Sequence, residues 1–70
     1  MLPLSFVSPG EEQIIKKVGG SFELKSHLKD MGFVVGGKVT VISTIGGNLI
    51  VMVKDTRVAI SSEMAKRIIV

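Results

Sequence analysis

Seventy residues, 46% of them apolar and none a cysteine, specify one domain, 1–70, because a chain this short buries only about 60% of its unfolded surface and has no material for a second core. The absence of cysteine excludes a disulfide framework and a thiolate metal site. Nine basic and six acidic residues give a formal charge of +3, yet they are interspersed and form no run, so basicity alone selects no partner.

The first apolar stretch, Leu2–Val7, contains Pro3, is followed by Pro9, and has no basic region before it. It reads as neither a signal peptide nor a membrane span, and the expectation is a soluble cytoplasmic protein. Ser8-Pro9-Gly10 is a turn signal, and Glu11–Val18 is predicted as one strand, although the adjacent Ile14 and Ile15 blur its alternation. Gly19-Gly20 ends it. Ser21 is the expected N-cap of a helix beginning near Phe22, with Glu23 at the positive end of the dipole. Leu24, Leu28 and Met31 fall at i, i+4 and i+7, one apolar stripe, against Lys25, Ser26, Lys29 and Asp30. Gly32 is suited to the left-handed conformation that closes a helix, and Gly36-Gly37 to a tight bend leading into a strand.

Three strands are then expected, Lys38–Ile45, Leu49–Lys54 and Arg57–Ser61. A three-residue loop at Gly46-Gly47-Asn48 pairs Ile45 with Leu49, Ser43 with Val51 and Val41 with Val53. A turn at Asp55-Thr56 pairs Val53 with Val58 and Val51 with Ile60. Thr56 suits a positive φ poorly, so a wider turn of the same parity is the alternative. Both loops give one core: Val39, Val41, Ile45, Leu49, Val51, Val53, Val58 and Ile60. Ser61-Ser62-Glu63 caps a single helical turn with Met64 and Ala65, and Arg67–Val70 reads as a closing strand. About five short strands would curl into a small, partly closed SH3-like barrel, mainly β, with the one inserted helix over an opening.

Catalytic chemistry is not legible. Gly32–Val39 has the spacing of a phosphate-binding loop up to its last position, where Val39 cannot ligate magnesium. The order is also reversed, since the segment leaves a helix and opens a strand. His27 is the single histidine and lacks partners in ligand register beyond Asp30 and Met31, which favours a boundary packing role. The carboxylates, Glu11-Glu12 and four singletons, show no acid/base pairing, and the serines sit at turns and caps. The expectation is no catalytic, cofactor or metal site. What remains is surface: the predicted register sets Ile42 across from Met52 and Thr44 across from Ile50, with Ala59 beside Met52. That patch is either covered by the helix or docks another protein, and Ile42, Ile50 and Met52 are its candidate contact residues.

The run Leu28-x-x-Met31-Gly32-Phe33-x-x-Gly36-x-x-Val39-x-Val41, then Gly46-Gly47-Asn48-Leu49-Ile50-Val51, Arg57-Val58-Ala59-Ile60, Glu63-Met64-Ala65 and Ile68-Ile69-Val70, resembles the FeoA family, the small cytoplasmic accessory proteins of bacterial ferrous iron transport. The resemblance, which includes Pro3-Leu4 and Pro9-Gly10, covers nearly the whole chain. Many members carry proline where Val35 stands and often another where Asn48 stands, differences of loop rigidity. It implies an SH3-like barrel that acts with FeoB, a membrane permease with a cytoplasmic GTP-binding domain, and reaches the membrane only through it. It implies no iron or nucleotide site in this chain. A homodimer through strand edges is a further expectation. Two alternatives are a small nucleic-acid-binding barrel using Lys16, Lys17, Lys25, Lys29, Lys38 and Arg57, and a regulatory barrel like those of iron-dependent repressors. Against the first stand three phenylalanines as the only aromatics, none on a strand as a stacking platform.

Overall fold

Helix α1 spans Phe22–Asp30 in the computed structural model, which describes residues 1–70. It starts where the sequence places it: Ser21 Oγ accepts the Leu24 N–H at 3.1 Å, and Glu23 lies in the first turn. Leu28 is fully buried, with Leu24 and Met31 half-buried on the same stripe. The helix stops at Gly32, whose φ of +105° lies where side-chain-bearing residues are strained. Phe33 N–H then returns to Leu28 O at 2.9 Å, which drives the Phe33 ring into the core. Phe33 was absent from the expected core. The corner that follows is bonded to the first strand: Gly36 N–H donates to Ile15 O at 2.7 Å and Ile15 N–H to Gly37 O at 2.9 Å.

The expected strand at 11–18 is two strands in two sheets. Strand β1 (Glu12–Ile14) joins β3 (Lys38–Ile45), β4 (Asn48–Val53) and β5 (Thr56–Ser61) in an antiparallel sheet of order β1-β3-β4-β5. Strand β2 (Lys17–Val18) pairs with β6 (Ile68–Ile69). The adjacent isoleucines mark the crossing. Ile15 is buried while Ile14 is exposed, and Lys16 N–H already bonds Ile69 O at 2.7 Å. The body is therefore a small SH3-like fold of six strands in a four-stranded and a two-stranded sheet, joined through Glu12–Val18, rather than about five strands in one curled sheet.

Both hairpin registers differ from expectation. The turns are two residues long, Gly46-Gly47 (φ +51° and +85°) and Lys54-Asp55 (φ +51° and +60°), and paired positive φ values match the right-handed twist of the flanking strands. Ile45 faces Asn48, not Leu49, so the first hairpin is slipped by one residue at its turn. A β-bulge shifts the pairing by a second residue, which restores the expected faces but not the expected partners: Val41 faces Val51 rather than Val53 and Ser43 faces Ile50 rather than Val51, leaving Ile42 as the extra residue. Beyond the bulge, Val39 and Val41 return to the core with Val51 and Val53. Ile45, on the turn side, is 64% exposed and leaves the expected core. In the second hairpin Val58 faces Val51 and Ile60 faces Leu49, a shift of two that keeps each side chain on its expected face. Ile60 is buried and Val58 half-buried.

The chain ends close the structure. Helix α2 (Ser62–Ala65) is capped by Ser61 Oγ, which accepts Met64 N–H at 3.2 Å. An unanticipated 3-10 turn at Leu4–Phe6 buries Leu4 completely. Leu2 and Val70 exchange two backbone hydrogen bonds, each 2.8 Å. Leu4, Ile15, Leu28, Phe33 and Ile68 join the sheet valines in one continuous core.

Candidate partner-docking surfaces

No polar or charged residue is buried, no three His, Asp or Glu side chains come together, and His27 is exposed on α1. What the protein offers is surface, and two concave regions stand out.

The first is on the outer face of the large sheet. Its cross-strand rows run Glu12–Thr40–Met52–Arg57 and Ser43–Ile50–Ala59. The expected juxtapositions are thus corrected: Thr40, not Ile42, faces Met52, and Ser43, not Thr44, faces Ile50, with Ala59 beside Ile50. The slip at the two-residue turn sets Ser43 opposite Ile50, and the bulge at Ile42 adds the further shift that sets Thr40 opposite Met52. Ile42, Ile50 and Met52 are each half-buried. A cleft of about 280 Å³ there is lined by Glu12, Lys38, Thr40, Met52, Lys54 and Asp55. Its charges are of both signs, and Lys38 Nζ lies 3.9 Å from Glu12 Oε1, an exposed pair worth about 0–1 kcal/mol.

The second is a groove of about 260 Å³ between α1 and the corner, lined by Val18, Lys25, Lys29, Phe33, Val34 and Val35. Helical geometry builds its charge. At about 100° per residue, Lys25 and Lys29 lie about 60° and 100° from the buried Leu28 on one side, while Glu23 and Asp30 lie about 140° and 160° away on the other. The groove flank is therefore purely basic and its floor apolar. Val35 stands 67% exposed at the rim, and Phe22, 85% exposed, lies on the same outer side of α1 as Lys29. Val34-Val35 lies within Gly32–Val39, the segment whose spacing resembles a phosphate-binding loop. The available signal was an apolar pair in a loop with no strand alternation to bury it. The basic residues expected to track nucleic acid divide between surfaces, Lys25 and Lys29 at the groove and Lys38 beside Glu12.

The model of the FeoA domain family matches residues 2–70. The chain belongs to the FeoA family. It is 36% identical over 70 residues to "Putative Fe(2+) transport protein A" of Methanocaldococcus jannaschii, covering all of this chain and 85% of that protein. Its fold superimposes on the iron(II) transport protein A of Clostridium thermocellum with a TM-score of 0.91, at 26% identity, over 97% of this chain and 43% of that one. The FeoA of Stenotrophomonas maltophilia complexed with zinc, described as a prokaryotic SH3 domain protein, gives a TM-score of 0.85 at 25% identity, over 99% of this chain and 88% of that one. The metal-bound ScaR structure, with Cd2+, shares the fold alone, at 18% identity and a TM-score of 0.86 over 97% of this chain and 33% of that one. FeoA membership associates the chain with ferrous iron transport. No helix is long and apolar enough to cross a membrane.

Proposed function

We propose that this protein is a non-catalytic accessory of ferrous iron uptake that docks on the cytoplasmic GTP-binding region of a FeoB-type permease, where it modulates or scaffolds the transporter. The observation that carries the reading is the α1 groove, an apolar recess with cations alone on its flank. Such a recess suits an apolar side chain of a partner segment, and anchors seated in pockets dominate protein interfaces. Lys25 and Lys29 would select a segment carrying acidic residues and steer its approach. The outer sheet face around Met52 is the weaker candidate, because Glu12 and Asp55 offset Lys38 and Lys54 there. Membrane proximity follows from the partner, and iron remains the partner's cargo.

The test is titration of the cognate permease's cytoplasmic domain into isotope-labelled protein. Amide shifts are expected at Val18, Lys25, Lys29 and Val35. Val35→Asp and Lys29→Glu should each weaken binding by about tenfold or more, whereas Met52→Asp should leave it unchanged. Loss of binding on Met52→Asp alone would move the contact to the outer face with Ile42 and Ile50. An absence of shifts at millimolar partner would overturn the reading. GTP turnover by the permease domain, with and without this chain, then separates modulation from scaffolding.

A further inference from the structure

Strand β5 is an edge of the large sheet, and its register identifies which of its backbone groups are free. Antiparallel partners alternate between pairs that exchange both hydrogen bonds and pairs that exchange none. The two-residue turn is closed by Val53 and Thr56. At the far end, Ser62 N–H donates to Gly47 O at 2.9 Å, continuing the same alternation. Thr56, Val58 and Ile60 therefore direct their backbone groups to β4. Arg57 and Ala59 turn N–H and C=O outward, as does the Ser61 N–H, and none of these groups bonds elsewhere in the backbone. Both Arg57 and Ala59 are exposed.

Edges of natural sheets are normally short, charged, bulged or interrupted by proline. The opposite edge, β1, has three residues, one of them Glu12, and ends where the chain leaves the sheet. Strand β5 has six residues, no proline, no bulge, and Arg57 as its one charge.

We propose that β5 is the docking edge for a second copy of this chain, joined antiparallel about a two-fold axis at Ala59. A two-fold pairing of one strand with itself is necessarily antiparallel and self-complementary. Centred on Ala59, it lets Ala59 exchange two hydrogen bonds with Ala59 of the partner subunit, and each Ser61 N–H reach Arg57 of the other subunit. It also sets Arg57 opposite the partner's Ser61, whereas centring on Arg57 would place like charges face to face, a destabilising arrangement. On the outer face the row Ser43–Ile50–Ala59 continues through the partner's Ala59 and the partner's Ile50. The result is an eight-stranded sheet with an unbroken apolar band, on a surface separate from the α1 groove. One strand edge makes a small interface, so the dimer is weak, with a Kd of about 10 μM to 1 mM.

Sedimentation of the full chain from about 10 μM to about 1 mM should show reversible dimerisation over that range. Over the same range, hydrogen exchange at the Ala59 amide should slow while that at Val58 stays constant. An isotope-filtered experiment should give an α-proton contact between Val58 and the partner's Ile60. Ala59→Pro removes an N–H that β4 does not use, so the fold should persist while the Kd rises at least tenfold. A monomer at the highest concentration, a dimer indifferent to Ala59→Pro, or an Ala59 amide protected in dilute solution would each overturn the proposal. So would β5 shifts caused by the permease domain in place of self-association. Should Ala59→Pro fail to fold, the exchange and contact measurements on the unmodified chain decide.

Discussion

Phe33 illustrates how one side chain is placed by the backbone on either side of it. Gly32 turns the chain with φ +105°, Phe33 N–H bonds Leu28 O, and the ring has no alternative but the interior, where it is 1% exposed. Truncation to alanine should cost about 3–5 kcal/mol, a large part of the roughly 5–15 kcal/mol that holds a domain together. Urea denaturation of Phe33→Ala checks this, and a loss under about 1 kcal/mol would mean the site collapses around the gap. Gly32 was readable in the sequence because a helix stop has a residue signature. Phe33 was not, since a single aromatic after a helix stop belongs to no periodic pattern that marks it as inward.

Among the elements, the two hairpins divide between local chemistry and pairing. Lys54 and Asp55 both adopt positive φ, a region that costs a side-chain-bearing residue roughly 1–2 kcal/mol. Asp55→Gly should relieve part of that and stabilise the protein by about 0.5–1 kcal/mol, seen as a Tm increase of about 2–8 °C for a domain of this size. The unsuitability of Thr56 for such a φ was visible in the sequence, and the chain answers it by setting the turn one residue earlier. The bulge at Ile42 was invisible. Val41 and Ile42 are both apolar, so hydrophobic pattern accepts either register, and only simultaneous pairing of β3 with β1 and β4 selects one.

On the scale of the whole molecule, the termini are part of the core. Strand β6 has two residues and ends one position before the end of the chain, yet Ile68 is completely buried. It holds β2, while Leu2 and Val70 lock the two ends together. Ile68→Ala should therefore destabilise by about 2–5 kcal/mol, as much as a central core residue. Phe6→Ala, at a position 71% exposed, should change stability by no more than about 0.5 kcal/mol. Chemical denaturation of the two variants side by side tests the contrast. Equal small effects would mean the terminal sheet frays independently of the rest.

The sequence by itself determined the helix with its cap and stop, the glycine corner, the three central strands, the parity that sends Val51, Val53 and Ile60 inward, and the family resemblance. All of these rest on interactions within a few residues or on a period of 2 or 3.6 that the chain carries in its own order. Only tertiary structure decided that 11–18 splits between two sheets, that a bulge restores the faces of a slipped hairpin, that Ile45 faces water, and that α1 and Val34-Val35 enclose a basic-flanked groove. Each of these depends on which distant segments meet. The free energy that chooses among near-equivalent apolar pairings comes from burying the whole core at once, and no local window contains it.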